Sequence, residues 1–310
     1  MPKSRRRSSW SRKSKPQRMI LAGVASILLI VVVGIFALIR FKQQSISAMG
    51  AEGEVQSAEL VAQEEPEPLV VKEKPVALES IESADPLEQV VLRHFAATKV
   101  DQVTTLKLNA HLQIGETHEA QNDHEMIFYF RRPNFARRVM MQGDLRFDMG
   151  FDGNEIWAQQ ANGQGDARAM DELPEGMASK FKEASRLGSY LWRYEETPER
   201  FTLEKDTMLD GIACHVILYE DEKERVYTYI DQDSYWEIAT EQHPKVGDSR
   251  SIAYMRMSEH QSANGVVMPM KIVTSSNGAV YSIVEIKQLE INQGVPSYIF
   301  EDPNVRYSAK

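Results

Sequence analysis

Residues 19–39, MILAGVASILLIVVVGIFALI, are an uncharged apolar run, and this run governs where the rest of the chain can fold. Its 21 residues are long enough, at about 1.5 Å per residue, to cross a ~30 Å hydrocarbon core as a helix. A buried core helix would show a polar stripe; this run has none, and charge flanks it on both sides. Eight basic residues precede it (Lys3, Arg5, Arg6, Arg7, Arg12, Lys13, Lys15, Arg18), and Arg40 and Lys42 follow. A cleaved signal peptide competes with this reading, but its apolar core runs to only ~7–15 residues. No convincing small-x-small site precedes Arg40. The expectation is an uncleaved anchor with residues 1–18 as a basic cytoplasmic tail and everything after the span exported. A bacterial inner membrane with a periplasmic domain fits best. A type II eukaryotic protein is also permitted, although the chain has no Asn-x-Ser/Thr sequon.

Residues 40–85 read as a Pro/Glu-rich flexible linker, typified by EEPEPLVVKEKPVALES. Like charge and proline disfavour packing there, and coil dimensions give a span of roughly 35–40 Å. Residues 86–308 remain, enough for one folded domain. From Asp85 onward 24 Lys/Arg face 36 Asp/Glu, a net of −12. Such an acidic domain argues against nucleic acid and anionic headgroup surfaces as its main partners. The basic tail reads most simply as an orientation signal in contact with anionic lipid, with DNA binding by the tail as the alternative. The single cysteine, Cys214, lies in IACHVIL and reads as a buried thiol.

Asp85-Pro86-Leu87-Glu88 is a helix start: Asp as cap, Pro in the first turn, Glu in capping-box position. Leu87, Val90, Val91 and Phe95 continue at helical spacing to about Thr98. The period then becomes two. Leu106, Leu108, Ala110, Leu112 and Ile114 line one strand face, followed by strands at 124–130, 137–141 and 144–151. Asp152-Gly153 marks a hairpin returning at Ile156 and Trp157. Residues 171–193 read as one helix or two short ones, with Met177, Phe181, Ala184 and Leu191 on one face. Strands are then expected at 201–209, 214–219, 225–231, 236–242, 249–258, 268–275 and 280–289, with turns at Asn264-Gly265 and Asn277-Gly278. A long antiparallel meander with helices on one face is an α+β architecture.

Chemistry-bearing constellations are sparse. There is no Gly-x-Ser-x-Gly and no phosphate loop after a strand, so no catalytic residue and no cofactor is indicated. Glu116, His118, Glu119, His124 and Glu125 are a weak metal candidate and read better as solvated turn residues. His215 reads as a sheet-face histidine. The pairs Asp144/Asp148 and Asp231/Asp233 read as carboxylates that satisfy turn amides or face water. The strands are rich instead in aromatic and flexible apolar side chains: Phe128, Phe130, Phe135, Met140, Phe147 and Trp157, with Phe181 on the helical segment. Ordinary core is the bland account of any one of them. Together they allow an apolar ligand groove.

Phe128-Tyr129-Phe130-Arg131-Arg132-Pro133-Asn134-Phe135, then Arg138, then Phe151-Asp152-Gly153-Asn154-Glu155-Ile156-Trp157, resembles periplasmic lipoprotein-carrier proteins of the LolA/LolB-like type. Asp210-Gly211, Tyr229-Ile230-Asp231 with Tyr235-Trp236, and Val295-Pro296 with Phe300 extend the resemblance over roughly 90–305. It implies an unclosed, strongly curved antiparallel barrel with helices packed as a lid over an apolar cavity. It implies acyl chains of lipids or lipoproteins as ligands, and it implies Arg132 as the latch that ties the lid shut. A retained anchor differs from a free carrier, and points to an acceptor or sensor role at the inner membrane. A non-catalytic module that binds an envelope protein partner is the alternative, since one fold serves several roles.

Overall fold

The computed structural model describes residues 78–115, 123–162, 189–245 and 252–303, with positions 167–169, 173, 178, 181, 182 and 185. The tail 1–18, the apolar run 19–39, most of the linker 40–85, and Glu116, His118, Glu119, Met177 and Ala184 lie outside them. Among the described residues no helix is long and apolar enough to cross a membrane.

Asp85 caps α1 (Pro86–Thr98) as its sequence dictates: the carboxylate accepts the Leu87 N–H at 2.9 Å. Pro86 occupies the first turn, where a missing N–H leaves nothing unpaired. Lys99 closes the helix in the left-handed region (φ 52), its N–H donating to Phe95 O at 2.7 Å. The buried stripe is Leu87, Val90, Val91, His94 and Thr98. Phe95 is only partly buried, one position off that stripe, with its ring 5.6 Å from Trp192.

Six strands follow: β1 (Thr105–Ile114), β2 (Asp123–Arg131), β3 (Phe135–Gln142), β4 (Leu145–Phe151), β5 (Ile156–Ala161) and β6 (Ala167–Ala169). Beyond a 3₁₀ turn at Tyr190–Arg193 come β7 (Phe201–Leu203), β8 (Thr207–Leu209), β9 (Ile212–Glu220), β10 (Glu224–Asp231), β11 (Glu237–Pro244) and β12 (Ala253–Ser258). A small separate hairpin, β13 (Gln261–Ala263) and β14 (Val266–Met268), precedes β15 (Lys271–Ser276) and β16 (Ala279–Ile291). The strands of the large sheet run in the order β6-β5-β4-β3-β2-β1-β16-β15-β12-β11-β10-β9-β7, with β8 also on β9. Each pairing is antiparallel. β1 and β16 join the two meanders, from Leu106 opposite Ile291 to Ile114 opposite Ser282. β6 and β7 lie at opposite ends and do not pair, so the sheet is not closed.

One reading changes at this level: the strand expected at 201–209 is two short strands, β7 and β8. Asn264-Gly265 makes the expected turn, and the hairpin it closes, β13–β14, is separate from the large sheet. The segment after β16 forms a 3₁₀ turn at Ser297–Ile299. Asn277 (φ 50) and Gly278 (φ 84) make the tight turn between β15 and β16, where both central residues need positive φ.

Period two decides the core. Leu106, Leu108, Ala110 and Leu112 of β1 are buried, opposite Phe130, Phe128 and Met126 of β2 and Ile291, Ile286 and Val284 of β16. This inner face forms one apolar cluster with Leu87, Val90 and Val91 of α1 and with Val266 and Met268 of the small hairpin.

Candidate ligand-binding face

Five of the seven apolar residues singled out from the sequence meet in this inner cluster: Phe128, Phe130, Met140, Phe147 and Phe181. Met140 lies between Met126 on β2 and Phe147 on β4. Phe128, Phe130 and Phe181 each expose 1% of their surface, so in this state the face is closed over by the protein's own side chains. A cavity of about 240 Å³ lies instead on the outer face, lined by Thr105, Lys107, Tyr129, Glu290 and residues 293–296 and 299. The Lys107–Glu290 ion pair at 2.7 Å gives that cavity a charged wall.

Phe135 and Trp157 depart from the expected lining: both lie on the outer face. The cause is strand parity. Ala136, Arg138 and Met140 point inward on β3, so Phe135 and Arg137 point out. Trp157 sits opposite Gly150, where a Cβ would overlap the indole ring. The Trp157 Nε1–H donates to Phe300 O at 2.7 Å, and the Phe135 and Phe300 rings are 5.6 Å apart. Arg137 stacks over Trp157 at 5.4 Å and donates to Ile299 O at 2.9 Å and to Asp148 at 2.8 and 2.5 Å. Asp148, fully buried, also accepts from Arg146 at 2.9 Å. The C-terminal segment is thus strapped across β3–β5. No local signal in the sequence places it there.

Arg132 directly follows β2 and is joined to Pro133 by a cis peptide bond. Its Nε–H donates to Val103 O at 2.5 Å and its Nη2 to Asp101 O at 3.2 Å. Its guanidinium stacks on Trp192 at 4.2 Å, and Trp192 in turn touches Phe95 of α1. One side chain therefore ties together the turn after α1, the end of β2 and the Tyr190–Arg193 turn. Burial lowers the Arg132 pKa, with Asp101 opposing.

Arg138, on β3 four residues beyond the Arg-Pro-Asn turn, is fully buried between Phe128 on β2 and Met149 on β4. The Phe181 ring lies 5.8 Å from its guanidinium. Sequence reasoning used Arg138 only as part of a motif; its inward parity was legible, its isolation was not.

The other end of the interior holds polar groups that the sequence did not flag. Tyr190 donates to the buried Glu224 at 2.8 Å, and Gln242 donates to the same carboxylate. His94 Nδ1–H donates to Tyr235 O at 2.9 Å, and burial pushes its pKa down to about 4. Burial pushes Glu237 up to about 7, against a hydrogen bond from Ser189.

Among the described residues no three His, Cys, Asp or Glu side chains are grouped to hold a metal ion. Asp231 accepts the Asp233 N–H at 3.0 Å and the Ser234 hydroxyl at 2.7 Å, a turn role. Asp144 is exposed at the β3–β4 turn, apart from Asp148. His215 pairs with Asp206 at 3.0 Å, and Cys214 is buried.

No family model and no curated protein matches the sequence. Solved structures do match the fold. A DUF1329 family protein from Desulfovibrio piger aligns at 10% identity and TM-score 0.50, over 71% of this chain and 99% of that one. A LolA superfamily protein from Nitrosomonas europaea aligns at 10% identity and TM-score 0.49, over 71% and 100%. A putative outer membrane lipoprotein-sorting protein domain from Vibrio parahaemolyticus aligns at 10% and 0.47, over 70% and 96%. At such identity the likeness is one of fold alone: among the described residues, an unclosed antiparallel sheet with α1 packed on it.

Proposed function

We propose that this LolA-like domain is a non-enzymatic binding domain that takes up an apolar ligand, a lipid or lipoprotein acyl chain, on the inner face of its sheet. In this reading residues 19–39 anchor the chain in the bacterial inner membrane. Residues 40–85 form the tether and residues 86–308 the periplasmic domain. The protein acts there as acceptor, carrier or sensor.

The observation that carries the reading is the Arg132 guanidinium, which bridges two segments beside the end of β2. Arg132 holds two covering segments together through backbone carbonyls and an indole ring. A guanidinium offers five donors in a planar fork, so it can fasten several groups and release them together. When the latch opens, Phe128, Phe130, Met140, Phe147 and Phe181 form the surface an acyl chain would bury. At ~0.8 kcal/mol per CH₂, a long chain contributes on the order of 10 kcal/mol before ordering costs.

Native mass spectrometry with lipid extraction on the full chain, purified from its own membrane, tests this. A co-purifying lipid or lipopeptide that is lost in folded Phe128→Asp supports the reading. Arg132→Leu is expected to speed hydrogen exchange in α1 and to change ligand occupancy. A protein that stays free of ligand and takes up no fluorescent fatty acid sinks it.

A second reading follows from the closed interior. If the aromatic cluster is only core, the domain is a protein-interaction or envelope-stress regulatory module, and its partner binds the outside.

A further inference from the structure

We infer that Arg138 is the anchor for the anionic head of an amphiphile, a carboxylate or phosphate on an apolar tail, held within the inner face. The inference rests on the binding role proposed above and specifies the class of ligand.

Arg138 exposes 0% of its surface, and its Nε, Nη1 and Nη2 have no hydrogen-bond partner among the described residues. It points into the face where Phe128, Met140 and Met149 meet, and among the described residues the Phe181 ring lies near its charge. A cation at 5.8 Å from a ring centroid gains some attraction, but no N–H is satisfied by it.

The other buried ionisable groups show how this molecule treats charge. Asp148 has Arg137 and Arg146, and Glu224 has Tyr190 and Gln242. His94 and Glu237 have no ion-pair partner among the described residues, and burial favours their neutral forms. Arginine lacks that escape: burial brings the Arg138 pKa down only to about 9, so it stays a cation at neutral pH. Burial is the cause of that shift, and no carboxylate among the described residues contributes to it. A buried cation with five unused donors is among the most unfavourable arrangements a fold can keep. It becomes favourable when a planar, doubly accepting anion docks against the guanidinium fork. Such a head on Arg138 sets its tail against Phe128, Met140 and Phe147, which are already apolar.

The test uses the full chain in nanodiscs of zwitterionic phosphatidylcholine. The probes are a photoreactive long-chain fatty acid and its methyl ester, and the readout is the labelling of peptides from residues 123–162. Wild-type protein is expected to label with the acid about 10-fold more than with the ester, since a charge-assisted pair forms only with the acid. Arg138→Met should bring acid labelling down to the ester level, and Arg138→Lys should keep part of the preference. Arg138→Met should melt no lower than wild type, which separates lost recognition from unfolding. If that variant fails to fold, the acid-to-ester ratio of the wild type decides alone. Stronger competition by lysophosphatidic acid than by palmitate assigns the head as a phosphate, and the reverse assigns it as a carboxylate. Equal labelling by acid and ester overturns the role of Arg138 and leaves the apolar-ligand reading intact. No labelling by either probe overturns both.

Discussion

Arg137 and Arg138 are neighbours in the chain and opposites in the structure. Arg137 lies on the outer face, bound to a buried Asp148 that also receives Arg146. Arg138 lies on the inner face with no partner for any of its three nitrogens among the described residues. Both faces belong to the same three strands, so backbone propensity does not separate them. The difference teaches that strand parity alone decides whether a buried charge meets its partner within the chain.

The first way to break that comparison is to unfold both sites. Asp148→Asn should lower stability by about 3–5 kcal/mol in denaturant melts, because it strands buried cationic groups. Arg138→Met should instead raise stability by about 1 kcal/mol or more, since it removes an uncompensated charge and keeps an apolar stem. If Arg138→Met proves as damaging as Asp148→Asn, Arg138 has a structural partner and the contrast fails.

The next effect concerns groups that can shed their charge. Folded His94, at about 4 against an ordinary 6.5, stays neutral where the unfolded chain has gained a proton. Its contribution to stability therefore falls as pH drops from 6.5 to about 4, by about 3 kcal/mol. Folded Glu237, at about 7 against 4.5, keeps a proton the unfolded chain has lost. Its contribution falls as pH rises from 4.5 to about 7, again by about 3 kcal/mol. Between about pH 4.5 and 6.5 the two oppose each other. In that window His94→Gln should make the protein more stable as pH falls, and Glu237→Gln should make it less stable. Matching pH profiles for the two variants would refute both assignments.

The smallest effect sharpens the outer face. Gly150→Ala places a methyl group into the Trp157 ring and should cost about 1–3 kcal/mol in thermal melts. Gly150→Ala combined with Trp157→Leu should cost less than the sum of the single changes. Strict additivity would mean that the indole is not held against Gly150.

Much of the fold was legible because its signals are local. Asp85-Pro86 starts a helix by capping geometry, and Asn277-Gly278 turns a hairpin because both residues accept positive φ. The alternation from Leu106 to Leu112 sets a buried face through the two-residue period of a strand. The candidate site was legible in part. Phe128, Phe130, Met140, Phe147 and Phe181 share the inner cluster, whereas Phe135 and Trp157 fell on the other side. Aromatic content alone carries no parity for a residue that begins or resumes a strand.

By itself, then, the sequence determined the helix, the turns and the alternation, since each depends on dihedral preference and on neighbours within a few residues. Only the tertiary structure decided which face of β3–β5 was which. It brought Ile299 and Phe300 back onto Arg137 and Trp157, left Arg138 without a hydrogen-bond partner among the described residues, and set Arg132 against Trp192. Those outcomes come from cross-strand register and from contacts between residues far apart in the chain, which no short window of sequence contains.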